Sequence, residues 1–144
     1  MDKYQVLKLE NQLCFPLYAA SREVVKLYYP YLSALDLTYT QYIAMMVMWD
    51  VKSISSKELG KRLYLDSGTF TPLLKSLEKK GLITRTRDEK DERNLIVTIT
   101  EKGLELRDKA IDVPMQVGNC LKLSHDEAVT LYKTLYKILD EVNE

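Results

Sequence analysis

Residues 55–100 read SSKELGKRLYLDSGTFTPLLKSLEKKGLITRTRDEKDERNLIVTIT, and the order of elements within them decides the fold. Ser55-x-x-Glu58 has capping-box spacing, in which a serine hydroxyl takes an orphan amide and the glutamate reaches back. It opens a short helix, Ser56 to Leu63, with Leu59 and Leu63 on the buried side. Tyr64-Leu65-Asp66-Ser67-Gly68 supplies a turn. Phe70, Leu73, Leu74 and Leu77 then fall at i, i+3, i+4 and i+7, the one-sided spacing of a second helix. Lys79-Lys80-Gly81 ends it, with cations at the negative end of the dipole and a glycine suited to the left-handed cap. Its start has two readings. Either Asp66 or Ser67 caps it and Pro72 falls in the second turn, or Thr71 caps it and Pro72 takes the first helical position, where a missing amide costs little. Residues 82–87 and 94–100 alternate in polarity and are rich in β-branched side chains, which predicts paired strands. Residues 88–93 between them are too polar to bury and form a protruding tip.

The rest of the 144-residue chain is helical by the same criterion, with only five glycines and four prolines to interrupt it. Leu13, Leu17, Ala20, Val24 and Leu27 predict an amphipathic helix from Leu9 to about Tyr29, stopped by Pro30. Thr38 and Gln41 have capping-box spacing ahead of a helix from Tyr39 to Trp49. Its interior is apolar nearly all round, and Met45, Met46 and Met48 read as core filler. Thr100 caps a helix running toward Val113-Pro114. Ser124-His125-Asp126-Glu127 opens the last helix, with Val129, Leu131, Leu135, Ile138, Leu139 and Val142 as its apolar positions.

Composition excludes several classes. At 46% hydrophobic the chain is not disordered, and no apolar run approaches the ~20 residues of a membrane span. Met1-Asp2-Lys3-Tyr4 is followed by polar and charged positions, which predicts no secretory signal and a cytoplasmic protein. Cys14 and Cys120 are far apart and there is a single histidine, His125, so neither a metal site nor a cofactor motif is expected. The balance of 21 cations against 21 anions argues at first against nucleic acid. It conceals a strong local asymmetry. Residues 55–87 hold eight cations and three anions, a sum of +5, whereas residues 88–93 sum to −2 and residues 94–144 to −3.

Element order and local charge together predict a winged helix-turn-helix. A helix fits the major groove of DNA with its N-terminal residues toward the base edges. Ser67, Thr69, Thr71 and Pro72 open the second helix, and Lys75, Ser76 and Lys79 lie off its apolar stripe, which makes them candidate DNA contacts. Arg85 and Arg87 on the first strand join them. Arg93 at the hairpin tip suits a narrow minor groove, with Asp91 placed to orient it. The competing reading is a solvated charged face.

Tyrosine supplies 10 of the 13 aromatic residues, and seven of those ten lie within the first 42 positions. Tyr28 and Tyr39 bracket Pro30, so a second helix folding back brings both phenols toward the first. Tyr18 stands one turn after Cys14 on the same face. Phenolic hydrogen bonds favour a thiolate, the form that attacks peroxide. The competing readings are an inert small hydrophobe at Cys14 and tyrosines that serve only as core.

Leu9-Glu10-Asn11-Gln12-Leu13-Cys14-Phe15, Leu37-Thr38-Tyr39-Thr40-Gln41-Tyr42, Leu65 through Lys75, and Asp91-Glu92-Arg93 together resemble the MarR family. More narrowly they resemble its peroxide-sensing branch, the organic hydroperoxide resistance regulators and their staphylococcal global-regulator relatives. The resemblance implies a fold that is mainly α with a β-hairpin wing. Residues 1–50 would carry dimerisation and sensing, 51–100 the DNA-binding region and 101–144 the C-terminal dimerisation helices, all within one compact domain. It further implies a homodimeric repressor on double-stranded, pseudo-palindromic operator DNA, with no enzymatic turnover and no membrane contact. Cys14 would be the peroxidatic cysteine, hydrogen-bonded by Tyr28 and Tyr39, with Tyr18 joining from the partner subunit. Organic hydroperoxide and a small thiol would be the reactants, with Cys120 as resolving or spectator thiol. Three rivals stay open: a repressor released by an aromatic ligand with Cys14 incidental, a thiol peroxidase using both cysteines, and a helical interaction module that does not bind DNA.

Overall fold

The computed structural model describes residues 2–143. The chain enters through two 3₁₀ turns, Lys3–Leu7 and Leu9–Asn11, held by the Gln12 amide, which donates to the carbonyls of Val6 and Lys8 at 2.7 and 2.8 Å. Helix α1 spans Cys14–Ser33. The helix expected over Leu9 to Tyr29 is therefore displaced at both ends. Pro16 is the third residue of α1, where its missing N–H has no intrahelical partner to lose; in a helix begun at Leu9 it would stand in the interior at a cost of about 3 kcal/mol. Pro30 is carried inside the last turns. The helix ends at Ser33, and the turn after it closes at Asp36, whose left-handed φ of 54° lets the Leu37 amide donate back to the Leu32 carbonyl at 3.0 Å.

Helix α2, Tyr39–Val51, opens on the complete Thr38–Gln41 capping box. It buries Tyr42, Ala44, Met45 and Met48, whereas Met46 faces outward, so two of the three methionines fill the core. Strand β1, Ser53–Ser55, was not foreseen because three residues are too few to display an alternation. Helix α3 covers Ser56–Arg62 and α4 covers Ser67–Lys79. Only half of the Ser55–Glu58 box forms: Ser55 accepts from the Glu58 amide, while the Glu58 carboxylate lies 3.8 Å from Arg62. Asp66 decides the start of α4, accepting from the Thr69 amide at 2.9 Å, and Pro72 lies inside the helix. At its far end Gly81 takes the expected left-handed conformation, φ 77°.

Strands β2, Ile83–Arg87, and β3, Leu95–Ile99, pair antiparallel, and β1 adds to the other edge of β3 to give the order β1-β3-β2. Val97 at the centre lies opposite Ile54 on one side and Arg85 on the other. Leu59, Phe70, Leu73, Leu74, Leu77, Leu82, Ile83, Val97 and Ile99 close over Leu32, Met45 and Met48 in one continuous core. Each such side chain contributes about 1.5–3 kcal/mol on leaving water.

Helix α5, Glu101–Ala110, is capped by Thr100, whose hydroxyl accepts from the Gly103 amide and donates to the Gly81 carbonyl. A Cβ at Gly103 would meet the Leu82 carbonyl and the Ile99 side chain, so the glycine is what lets α5 lie against the sheet. The Trp49 indole donates to the Gly103 carbonyl at 2.8 Å and pins α2 to α5. Helix α6, Val113–Leu121, is an unforeseen separate element, and α7, His125–Val142, opens on the complete Ser124–Glu127 box. Among the described residues of α7 none is buried. Leu131, Ile138 and Val142 stand exposed, as do Ile111 and Met115, and Leu13 is 83% exposed despite its place on the expected buried stripe. The terminal helices thus carry an apolar surface that their own chain does not cover. Among the described residues no helix is long and apolar enough to cross a membrane.

Candidate nucleic-acid interface and thiol site

Burial of Phe70, Leu73, Leu74 and Leu77 turns the opposite face of α4 outward. Ser67, Thr71, Lys75 and Lys79, each four residues from the last, form one exposed ridge, with Thr69 and Pro72 beside it. The ridge begins at the amide end of α4, so hydroxyls and free N–H groups lead and lysines follow, the order that suits a phosphate-lined groove. Two of the residues expected there are engaged elsewhere. The Ser76 hydroxyl accepts from the Gln41 side chain at 2.8 Å. Arg85 is only 20% exposed at its side chain and donates to Glu78 through Nη2 at 3.0 Å and through its backbone amide at 3.1 Å. Those bonds, the side-chain one above all, hold the Glu78 carboxyl below the usual carboxylate range. Arg85 thereby ties the wing to α4.

At the tip of the β2–β3 hairpin Arg93 is 90% exposed and donates through Nε and Nη2 to the two carboxylate oxygens of Asp91, at 3.1 and 3.3 Å. The pairing lowers the affinity of Asp91 for a proton and aims the guanidinium outward from the tip. Arg87 lies at the end of β2, its guanidinium donating to the Glu92 carbonyl at 3.2 Å. The reading ridge therefore projects from the strongly positive region of residues 55–87, while the adjoining wing tip, residues 88–93, sums to −2 and leads with the Arg93 guanidinium.

Cys14 is the first residue of α1 and is exposed, between exposed Leu13 and Phe15. It stands at the amide end of the helix, a place that favours negative charge. Tyr18, one turn on, packs its ring beneath Arg22, which donates to the phenol at 3.2 Å. The other two tyrosines lie far away. Tyr28 sits on the same helix as Cys14, fourteen residues later, about 21 Å along the axis at 1.5 Å per residue. Within one chain its phenol cannot reach the thiol.

Tyr28 and Tyr39 do meet each other, edge to face with centroids 4.9 Å apart, and Tyr42 packs against both. Burial, then the neighbouring Tyr28, pushes the Tyr39 phenol up from its ordinary range. Tyr28, Tyr39, Val25, Leu32 and Leu37 line a largely apolar cavity of about 310 Å³ open at the surface. Cys120, near the end of α6, is also exposed and donates to the Gln116 carbonyl. Among the described residues no group of His, Cys, Asp or Glu could hold a metal ion.

Residues 26–110, from the second half of α1 through α5, match the transcriptional regulator SarA/Rot family model. Over 143 residues the chain is 45% identical to the organic hydroperoxide resistance transcriptional regulator of Bacillus subtilis, covering 99% of this chain and 97% of that protein. It is 45% identical to the transcriptional regulator SarZ of Staphylococcus aureus over 88% of this chain and 86% of that one. Among solved structures it is similar to reduced AbfR of Staphylococcus epidermidis bound to DNA, with a TM-score of 0.79 and 31% identity over 99% of this chain and 100% of that one. With the winged helix, its reading ridge and these relatives in view, the chain belongs to the MarR-type transcriptional regulators, in the branch of the organic hydroperoxide resistance regulator and SarZ.

Proposed function

We propose that this protein is a homodimeric, thiol-switched repressor that holds operator DNA when reduced and releases it when an organic hydroperoxide oxidises Cys14. The observation that carries this reading is the separation within one chain: Cys14 projects from the start of α1, and its expected phenol partners form an open pocket about 21 Å along the same helix. Two chains packed through the uncovered apolar faces of α1, α6 and α7 bring the Leu13-Cys14-Phe15 tip of each to the Tyr28–Tyr39 pocket of the other. In this arrangement the partner assignment differs from the one the resemblance implies. Tyr18 comes from the thiol's own chain, and Tyr28 and Tyr39 come from the opposite one.

The chemistry follows from those groups. The Cys14 thiolate attacks the terminal peroxide oxygen, the O–O bond breaks, and the alkoxide takes a proton to leave as an alcohol, with Cys14 as sulfenic acid. A thiol, either Cys120 or a small cellular one, then attacks the sulfenic sulfur; a disulfide forms and water leaves. The added oxygen or disulfide displaces the phenols at the α1–α2 corner. The two α4 ridges then lose the separation of about one helical turn that two half-sites of a pseudo-palindrome require. In the bound state Ser67, Thr69, Thr71, Pro72 and Lys75 enter the major groove, Lys79 and Arg87 face phosphates and Arg93 enters the minor groove. Gel shifts with A·T-rich duplexes at two salt concentrations test the DNA half of this reading, and the same shifts after cumene hydroperoxide test the thiol half.

A further inference from the structure

Gln41 is the one buried polar side chain among the described residues, 6% exposed, and both the oxygen and the nitrogen of its amide are hydrogen-bonded. Oε1 accepts from the Thr38 amide at 3.0 Å and from Lys80 Nζ at 2.8 Å. Nε2 donates to the Ser76 hydroxyl at 2.8 Å. Lys80 also donates to the Asp36 carbonyl. Capping α2 requires only the first of these bonds. The other two cross to the last turn of α4 from positions 35 and 39 residues away in sequence. Apolar contact between α2 and α4 is non-directional and tolerates sliding, whereas buried hydrogen bonds at these distances fix one angle and one register.

Gln41 also lies beside the tyrosine corner. Tyr39 and Tyr42, two residues before it and one after, both pack on Tyr28. A shift of Tyr39 that disturbs the first turn of α2 therefore moves the acceptor and donor that hold Ser76 and Lys80.

We propose that Gln41 is a positioning residue that couples the tyrosine corner to the reading helix, its side-chain amide setting the orientation of α4 on α2. The proposal rests on the thiol-switch reading and adds the route by which the switch reaches α4.

The test uses full-length dimer, measuring DNA affinity by fluorescence anisotropy before and after cumene hydroperoxide and Cys14 oxidation separately by sulfenic-acid labelling and mass spectrometry. In Gln41→Met, of similar length but without the hydrogen bonds, Cys14 should oxidise at the wild-type rate while the peroxide-induced change in DNA affinity shrinks at least tenfold. Gln41→Glu should keep the wild-type change, since a carboxylate can accept from Thr38, Lys80 and the Ser76 hydroxyl together. Should Gln41→Met fail to fold or to bind DNA when reduced, Lys80→Met, altered at a partly exposed side chain, is expected to show the same uncoupling.

Wild-type release by Gln41→Met or Lys80→Met, or a Gln41→Glu protein as unresponsive as Gln41→Met, would overturn the coupling role while leaving the thiol switch intact. Slowed Cys14 oxidation accounting for the lost release would also overturn it, because Gln41 would then act on the thiol. Wild-type protein that keeps its DNA after Cys14 is oxidised would refute the switch itself and the coupling with it.

Discussion

Arg93 and Asp91 form a forked pair at the wing tip, Nε and Nη2 of the arginine meeting both oxygens of the carboxylate two residues earlier. An acidic tip of net −2 beside a DNA-reading ridge looks self-defeating until this pair is seen. Asp91 spends its charge orienting the guanidinium, and the cation is what leads.

Arg93→Ala should weaken operator binding at least tenfold and lower the salt dependence of log K by about one for each half-site, about two for the dimer. Asp91→Asn leaves the cation but loosens its aim, and a smaller loss of about three- to fivefold is expected from the added ordering on binding. Equilibrium titrations at several salt concentrations separate the two. Equal losses would mean that Asp91 does more than orient Arg93.

Tyr39→Phe removes the half-buried phenol and leaves the ring in place. If it donates to the partner's thiolate, Cys14 oxidation should slow about tenfold, equivalent to about 1.4 kcal/mol, with DNA binding by the reduced protein unchanged. Stopped-flow oxidation kinetics measure this, and an unchanged rate would remove Tyr39 from the thiol site.

Gly103→Ala should destabilise the fold by about 1–3 kcal/mol through overpacking, because the new methyl meets the Leu82 carbonyl and Ile99. Urea denaturation monitored by Trp49 fluorescence reads it conveniently, since the indole is hydrogen-bonded to the same residue. Gly118→Ala, inside α6 where nothing of the same chain lies within 4 Å, is the contrast and should stabilise by up to about 1 kcal/mol through helix propensity.

Three carboxylates are held below their usual range: Glu78 chiefly by the Arg85 side chain, Asp91 by the Arg93 side chain and Glu127 by the Ser124 amide. Each binds a proton less readily in the fold than in the unfolded chain. Their stabilisation is therefore complete above the ordinary carboxylate range and lost as pH falls through the lowered values. Melting temperature should stay level from pH 7 to about 5 and drop below about 4. Glu127→Gln should flatten part of that drop; a melting temperature that rises on acidification would contradict the assignment.

The winged helix was legible in the sequence because its signals are local. The i, i+3, i+4, i+7 run of Phe70 to Leu77, the glycine at 81 and the two alternating strands each report on themselves. Boundaries that depend on proline were harder. Pro30 reads as a stop, but the helix runs on to Ser33 and the turn after it closes at a left-handed Asp36, while Pro16, which marks the true start, is unremarkable by periodicity. The ridge of α4 followed from its buried face, but the engagement of Ser76 by Gln41 and of Arg85 by Glu78 depends on contacts across elements that no spacing rule reports. Gln41 read only as a cap. The apolar stripe of α7 was legible by its period, but that period is the same whether a chain's own core or a second chain covers it, and only the resemblance pointed to dimerisation.

The measurement closest to the proposed switch is operator binding by wild-type and Cys14→Ser protein, each titrated with and without cumene hydroperoxide, with non-reducing gels run on the same samples. Wild type should lose at least tenfold in affinity on oxidation, and Cys14→Ser should bind as tightly as the reduced wild type and ignore the oxidant. A covalent dimer that disappears in Cys120→Ser would identify Cys120 as the resolving thiol. Peroxide-driven release by the Cys14→Ser protein would contradict the thiol switch.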